Sequence, residues 1–401
     1  MTNAVTTGTD DTNDQPPPRP KKSEQEPASE EIIEVAPGIL RMQLPIWMPG
    51  LGHVNMYGMV DGDGVALIDP GLPGPQSWRA LRKRLKDAGI PMKRVHTVIV
   101  THSHPDHFGG AGRLAREAGA RLVTHHAFST WTVKGPTTAQ GALSEEAARR
   151  LELEAAMFAQ TSDVHPDEIP TIDQVPDVVH DDTDEIETTS KPWKGTTPWG
   201  APNNGPPLKR RLVIRGLRFL FDAPRPTHRV HHADRMTLAG REWWCIHTPG
   251  HTVDHLCLFD PETGTLLSGD HVLPTITPHV SGVQKGDSLK SYLATLDLVA
   301  RLPGVAQGLP AHGKPFDDVP ARVEAIKDHH AERMEMLRDA GLALGPATVT
   351  DLSHEVFPKR HWGTMAESET FAHLEHMVHA GLAESWRDSD GYLEYRVAPR
   401  N

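Results

Sequence analysis

The chain has 401 residues, 41 basic and 53 acidic, for a net charge of −12 with histidine neutral, and 37% of it is hydrophobic. That length exceeds the need of one core, so a large domain with a smaller companion is expected, and the low apolar fraction leaves room for loops or disorder. The acidic balance argues against nonspecific nucleic-acid binding, two cysteines exclude a disulfide framework and fit a reducing cytosol, and no apolar run has the length of a membrane span; a cytoplasmic protein with no membrane partner is therefore expected.

Residues 1–30 are polar and Pro-rich, lack the charged start and apolar centre of a secretory signal, and read as a disordered tail. From Ile32 to Asp69, short apolar runs (IIEVAPGILRMQLP, NMYGMV, GVALIDPG) are punctuated by Gly and Pro and read as successive strands. QSWRALRKRLKDAG at 76–89 has helical apolar spacing and stops at Gly89. RVHTVIVTH then reads as a buried strand, followed by a helix (GGAGRLAREAGA) and another strand (RLVTHH), an alternation that argues for an α/β layered core.

Residues 131–235 interrupt this pattern and read as an insertion, placed where it could act as a substrate lid. It holds an amphipathic helical run (LSEEAARRLELEAAMFAQ), a stretch from Ser162 to Ser190 with ten acidic residues and no Lys or Arg, and a basic stretch at Lys209–Arg218. The β pattern resumes with MTLAGREWWCIHTPGH, HLCLFD and GTLLSGDHVL, then a helix near Leu289–Leu302 and the strand-like VAQGLPAHG. The main domain is taken as 31–318. Residues 319–401 carry a long polar helix, the segment ATVTDLSHEVF, a second helical run (ESETFAHLEHMVHAGL) and a hairpin around Ser389–Gly391, the pattern of a small winged-helix domain.

The chain holds 25 histidines, and histidine is the commonest metal ligand, so their placement matters. His102, His104, Asp106 and His107 follow an apolar strand and precede GGAG. Alternate residues of an extended end point the same way, so His102 and His104 can share one metal. The turn through Pro105 lets Asp106 and His107 face a second. Three more strand ends each deliver one ligand type: His251 in HTPGHT, Asp270 in LLSGDH and His312 in PAHG. Nitrogen and oxygen donors without thiolate suit zinc, iron(II) or manganese.

HSHPDH, TPGHT, SGDH and AHG, in this order, resemble the metallo-β-lactamase superfamily, and THSHPDH, HTPGHT and SGDH are similar to its glyoxalase II-like and lactamase-like hydrolase branches. LIDPG matches the family strand that ends in an Asp near the site. The resemblance covers roughly 32–315 outside the insertion, and the helix from His329 and the run HVLPTITPHV resemble a branch with an appended winged helix, which includes endoribonucleases and acyl-carrier thioesterases. It implies an α/β fold, a four-layer αββα sandwich with a small C-terminal winged-helix domain. It also implies two divalent ions, zinc first with iron or manganese as alternatives. His102, His104 and His251 would hold one, Asp106, His107 and His312 the other, and Asp270 would bridge them. Asp69 would orient the His-rich loop. Asp106 and Asp270 would be the catalytic carboxylates, serving a metal-bridging hydroxide.

Other residues have blander readings. His125 and His126, His247, and the helix-face trio His373, His376 and His379 read as structural or solvated; His329 and His330 read as helix packing or interdomain contacts. His255, His271 and His279 adjoin ligand loops and are candidates to touch substrate. Cys245 and Cys257 read as buried inert thiols. Trp193 and Trp199 would line a pocket or pin a loop. No GxSxG element or P-loop is present. The expected function is hydrolysis of a small thioester or other acyl ester. The alternative is a single-strand-specific endoribonuclease whose winged helix contacts RNA, with Lys209–Arg218 as its one candidate basic surface. Oligomeric state has no signature in the sequence.

Overall fold

The computed structural model describes residues 22–48, 50–130, 196–202, 224–282 and 286–399. The expected lid helix, the acidic run, the basic stretch, Trp193 and residues 1–21 of the expected tail lie outside them.

The first half builds β1 (Ile32–Ala36), β2 (Ile39–Pro45), β3 (His53–Val60), β4 (Val65–Ile68), α1 (Pro75–Asp87), β5 (Val95–Ile99), a one-turn α2 (Pro105–Phe108), α3 (Ala111–Ala118), β6 (Arg121–His125) and β7 (His228–Val230). These strands form one seven-stranded sheet in sequence order, antiparallel from β1 to β4 and parallel from β4 to β7. The second half builds β8 (Arg235–Leu238), β9 (Arg241–His247), β10 (Leu256–Asp260), β11 (Thr265–Gly269), α4 (Ser288–Ala300), β12 (Gln307–Pro310) and β13 (Phe316–Asp317), in a six-stranded sheet ordered β13-β12-β11-β10-β9-β8.

Strand alternation explains the layering, because side chains on a strand point to opposite faces in turn. In β4, Ala66 and Ile68 enter the core between the sheets, while Val65 and Leu67 face a core that includes Trp78, Leu81 and Leu85 of α1 and Leu114 of α3. In β10, Leu256 and Leu258 face the first sheet, and Cys257 and Phe259 face Leu289, Tyr292 and Leu296 of α4. The result is four layers, α/β/β/α, with both sheets covered on both faces.

The C-terminal part comprises α5 (Val319–Leu344), β14 (Ala347–Thr348), α6 (Val349–Val356), α7 (Thr364–His379), β15 (Ala383–Arg387) and β16 (Leu393–Val397), with a three-stranded sheet ordered β14-β16-β15. Thr348 and Asp351 form a reciprocal capping box that starts α6. Among the described residues no helix is long and apolar enough to cross a membrane.

Three expected boundaries move. Residues 22–30 are not tail: Glu24 is fully buried and its carboxylate accepts from the backbone N–H of Thr275 at 2.8 Å and of Ile276 at 3.0 Å. The insertion ends before 235, because His228–Val230 pairs with β6 as a strand of the first sheet. The boundary set at 319 falls at the start of α5, but packing places the change of core inside that helix. Val319, Val323 and Ile326 of α5 pack on the second sheet's core, while Leu337 packs with the C-terminal cluster.

Candidate metal centre

β9 and β11 both run antiparallel to β10, and β12 runs parallel to β11, so β9, β11 and β12 end at the same edge of their sheet. The loops after them carry His251, Asp270 and His312. From the facing sheet, β5 runs out through Val100 into Thr101–His104. His104 is the N-cap of α2 and Pro105 its first residue, so Asp106 and His107 fall in its first turn. The glycines at 109–110 are required by close approach. A Cβ on Gly109 would strike Pro73, and one on Gly110 the Pro70 carbonyl, so any side chain would push away the segment that follows Asp69.

The seven expected ligands converge in two groups. His102, His104, His251 and Asp270 form one and Asp106, His107 and His312 the other, with donor atoms in each group within 4.8 Å of one another. His104 Nδ1 stands 3.0 Å from His102 Nε2 and 3.1 Å from His251 Nε2. Asp270 reaches across both groups: its Oδ2 is 3.6 Å from His251 Nε2 and 3.5 Å from His107 Nε2, and its Oδ1 is 3.4 Å from His312 Nε2. Asp106 Oδ2 lies 3.4 Å from His312 Nε2 and 3.5 Å from His107 Nε2. His104 is half-buried and the other six are buried, so the centre opens on the His104 side.

Outer hydrogen bonds settle which nitrogen of each ring faces inward. His107 Nδ1–H donates to Asp69 Oδ2 at 2.8 Å, His251 Nδ1–H to the His279 carbonyl at 2.6 Å, and His312 Nδ1–H to the His53 carbonyl at 2.6 Å. The Thr101 hydroxyl donates to Asp69 Oδ2 at 2.8 Å and so accepts from His102 Nδ1–H at 3.0 Å. Each of these four rings therefore turns its Nε2 toward the centre. Asp69 also accepts the Thr101 N–H at 2.9 Å, and holds a left-handed φ of 53° to do so.

These donors fit a cation. Asp106 Oδ1, Asp270 Oδ1, His107 Nε2 and His312 Nε2 are buried and make no hydrogen bond. Each such atom costs on the order of 1–3 kcal/mol, and Asp270 Oδ1 with the two Nε2 atoms faces the ligand centre, so a cation there would satisfy them. The electrostatics agree. Burial, then the neighbouring imidazoles, lowers His102 well below its ordinary value and His104 to about 3, so these rings are neutral donors. Burial would raise Asp106, but His107 and His312 hold it at about 2. Burial would lower His312, yet Asp270 and Asp106 push it up to about 10, and the carboxylates around His107 act likewise. The second group therefore attracts a positive charge strongly enough to retain protons.

The other singled-out residues sort by burial. His255 and His271 are fully buried, which removes them as substrate contacts. His255 Nε2 instead accepts the Asp270 N–H at 3.0 Å and thereby sets the backbone behind that carboxylate. His125, His126 and His247 gather with His231 and His232 at the ends of β6, β7 and β9: His125 stacks on His247 at 3.8 Å and His126 on His231 at 4.3 Å. His330 Nδ1 and His373 Nε2 are 3.0 Å apart inside the C-terminal part, and His376 Nδ1 reaches Asp287 at 2.8 Å. Trp199 packs with Leu337 and Phe371 and so pins its segment to the C-terminal part. Both cysteines are buried, and burial raises their thiols.

Sequence reasoning missed His53, Asp254 and the role of the His279 carbonyl. His53 contributes a backbone oxygen, which leaves no signature in residue type. Asp254 Oδ1 accepts from Ser103 Oγ at 3.0 Å, bracing the His102–His104 loop; one acid within the polar run His251–His255 carries no distinct signal.

A family model described as the metallo-beta-lactamase superfamily matches residues 49–312. The chain is 25% identical over 357 residues to a probable metallo-hydrolase of Bacillus subtilis strain 168, covering 86% of this chain and 94% of that protein. It is 37% identical over 145 residues to a lactamase-like protein of Aspergillus fumigatus, covering 36% of this chain and 40% of that protein. The chain thus spans less than half the length of the fungal lactamase-like relatives it matches. A metallo-beta-lactamase family protein from Thermus thermophilus superposes with a TM-score of 0.64 at 26% identity, over 91% of this chain and 100% of that one. A beta-lactamase domain protein from Burkholderia ambifaria shares the fold, with a TM-score of 0.65 at 24% identity over 94% of this chain and 97% of that one.

Proposed function

The chain belongs to the metallo-beta-lactamase superfamily, and from that premise we propose that it is a hydrolase that uses two divalent cations to cleave a small thioester or other acyl ester. The observation that carries the reading is the position of Asp270, whose two carboxylate oxygens face both ligand groups. His102, His104 and His251 would hold one ion and Asp106, His107 and His312 the other. Zinc is the first choice and iron or manganese the alternatives, since the donors are nitrogen and oxygen only.

When bound, such a pair supplies a water acidic enough to act as a nucleophile near neutral pH and polarises the scissile carbonyl. The chain's own residues do the rest. Asp69 holds His107 and Thr101, and Thr101 holds His102, so the ligand loop is set before substrate arrives. Asp106 is ionised, and its Oδ1 takes no hydrogen bond, so it is the acceptor that orients the attacking water. Substrate enters beside half-buried His104.

The net charge of −12 disfavours a polyanionic substrate and supports the ester reading over RNA. The motif variants HTPGHT and SGDH point the same way. The test is turnover by the purified protein, at defined metal content, of glutathione and acyl-CoA thioesters, lactones, a phosphodiester chromogen and single-stranded RNA. Thioester or ester turnover that disappears with His102→Ala and Asp270→Ala, together with bound metal, is the expected result. RNA cleavage without thioester turnover overturns the substrate class, and two ions retained in Asp270→Ala overturn the ligand assignment.

A further inference from the structure

Among the described residues, α7 approaches the metal centre along a short path. His251 donates Nδ1–H to the carbonyl of His279 at 2.6 Å, so the position of that carbonyl sets the tautomer and aim of the ligand. His279 belongs to a connection between β11 and α4 that is fastened along α7. Its Nδ1 lies 3.7 Å from Glu369 Oε2. Two residues on, Ser281 Oγ is 3.2 Å from Ser368 Oγ, and the Gly282 N–H donates to the Ser368 carbonyl at 3.4 Å. Gly282 must be glycine here, because a Cβ would meet Phe371 at 2.6 Å and the Ala372 backbone at 2.7 Å. At the far end of the connection, Asp287, the N-cap of α4, meets His376 Nδ1 at 2.8 Å.

Glu369 is the charged centre of this seam. Burial would raise its carboxyl, but the adjacent His279 ring and the charges of His373 and Arg333 hold it at about 2. Arg333 of α5 approaches its Oε1 from the other side at 3.6 Å, and the Glu369 backbone carbonyl accepts His373 Nδ1–H at 2.7 Å. The carboxylate thus lies between Arg333 of α5 and the connection that carries His279, with one oxygen toward each.

We propose that Glu369 is a positioning residue for metal ligand His251, acting through His279, so that the C-terminal part governs cation affinity at the His102/His104/His251 group and not at the Asp106/His107/His312 group. The inference rests on the two-cation reading above. His312 and His107 are oriented by His53 and Asp69, both outside the C-terminal part, so the second group has no comparable path to α7 among the described residues.

The test is Co2+ titration of the metal-free full chain, followed by visible absorption, with His102→Ala identifying the signal of the first group. Glu369→Ala weakens the first group by about 10-fold and leaves the second within about twofold, the scale typical of losing a group that orients a ligand. His279→Asn keeps the carbonyl but loses the ring that meets Glu369, and weakens the same group. Glu375→Gln is the control: it lies on the same helix but accepts from Tyr395 Oη at 2.6 Å, so it loosens the C-terminal part without touching His279. Equal weakening of both groups, no weakening in Glu369→Ala, or an equal effect in Glu375→Gln overturns the proposal. If the wild type takes up fewer than two ions, the two-cation reading fails. The orientation claim is then decided by the His251 Nδ1–H proton resonance of the metal-free protein: Glu369→Ala moves it, and an unmoved resonance overturns the proposal. If Glu369→Ala does not fold, His279→Asn carries both measurements.

Discussion

His107 donates an Nδ1–H hydrogen bond to Asp69 across 2.8 Å, and this contact turns Nε2 of the ring toward Asp106 and Asp270. Asp69 does this from a left-handed backbone, φ 53°, at the end of the strand beside the one that delivers the ligands.

Asp69→Asn tests that relationship. Asparagine tolerates the same backbone region, so the fold survives. A neutral amide oxygen cannot replace a carboxylate that accepts from the Thr101 N–H, the Thr101 hydroxyl and His107 together. Metal affinity at the Asp106/His107/His312 group falls about 10- to 100-fold, with little change in thermal midpoint. Unchanged metal affinity by competition with a chelator would remove Asp69 from the support of the centre.

Metal uptake at pH 7 releases protons. In the metal-free protein the carboxylates around His107 and His312 hold these rings protonated, His312 up to about 10. A ligating imidazole must be neutral, so binding expels those protons and weakens as pH falls. Calorimetry in buffers of different ionisation enthalpy should count about one to two protons released per protein as the second group fills. No release, or uptake, contradicts this electrostatic picture.

Glu24 ties the N-terminal segment to the loop after Asp270. Burial opposes its ionisation, but the hydroxyl and N–H of Thr275 and the N–H of Ile276 outweigh that and lower its pKa. A carboxyl lowered in the folded state stabilises above its unfolded value, and that contribution is lost as pH drops through the folded one. Glu24→Ala should cost about 2–3 kcal/mol at pH 7 by denaturant unfolding, and less at pH 3. A loss that is the same at both pH values would assign the effect to packing alone.

The strand-end histidines make the protein acid-labile. Burial holds His126 and His232 at about 3 and His247 at about 4, and His125 well below its usual value. Above about pH 6.5 both folded and unfolded forms are neutral there, and nothing is gained or lost. Below it the unfolded chain takes up protons that the folded one refuses, so stability falls from about pH 6.5 toward 4. Urea unfolding at pH 5.5 should therefore show uptake of several protons per molecule; a stability that is flat between pH 5 and 7 refutes the buried neutral assignment.

The ligand-bearing loops were legible because their chemistry is written in residue type and spacing. HSHPDH, HTPGH, SGDH and PAHG each follow an apolar run, and a strand that ends at a sheet edge presents its next residues there. Alternating or continuous apolar runs likewise marked β4, β5, β9, β10 and β11, since a strand covered on both faces has no polar side to show. Less legible were the edges of these segments. Residues 22–30 look like a tail because they are anchored by one buried carboxylate, Glu24, and by backbone groups of Glu26 and Ser29, none of which carries a periodic signal. β7 lies at 228–230 after a long interruption, and its three residues become a strand only by pairing with β6.

What the sequence determined by itself was the set of candidate donors and its order along the chain. Which nitrogen of each ring faces inward was decided only in three dimensions. The partners that decide it, the carbonyls of His53 and His279 and the carboxylate of Asp69, are far away in the chain, and two of them are backbone atoms that any residue supplies. The same holds for the seam on α7. Glu369 reads as an ordinary helix-surface acid until the fold sets it 3.7 Å from His279, where burial and a fixed partner give its charge a direction.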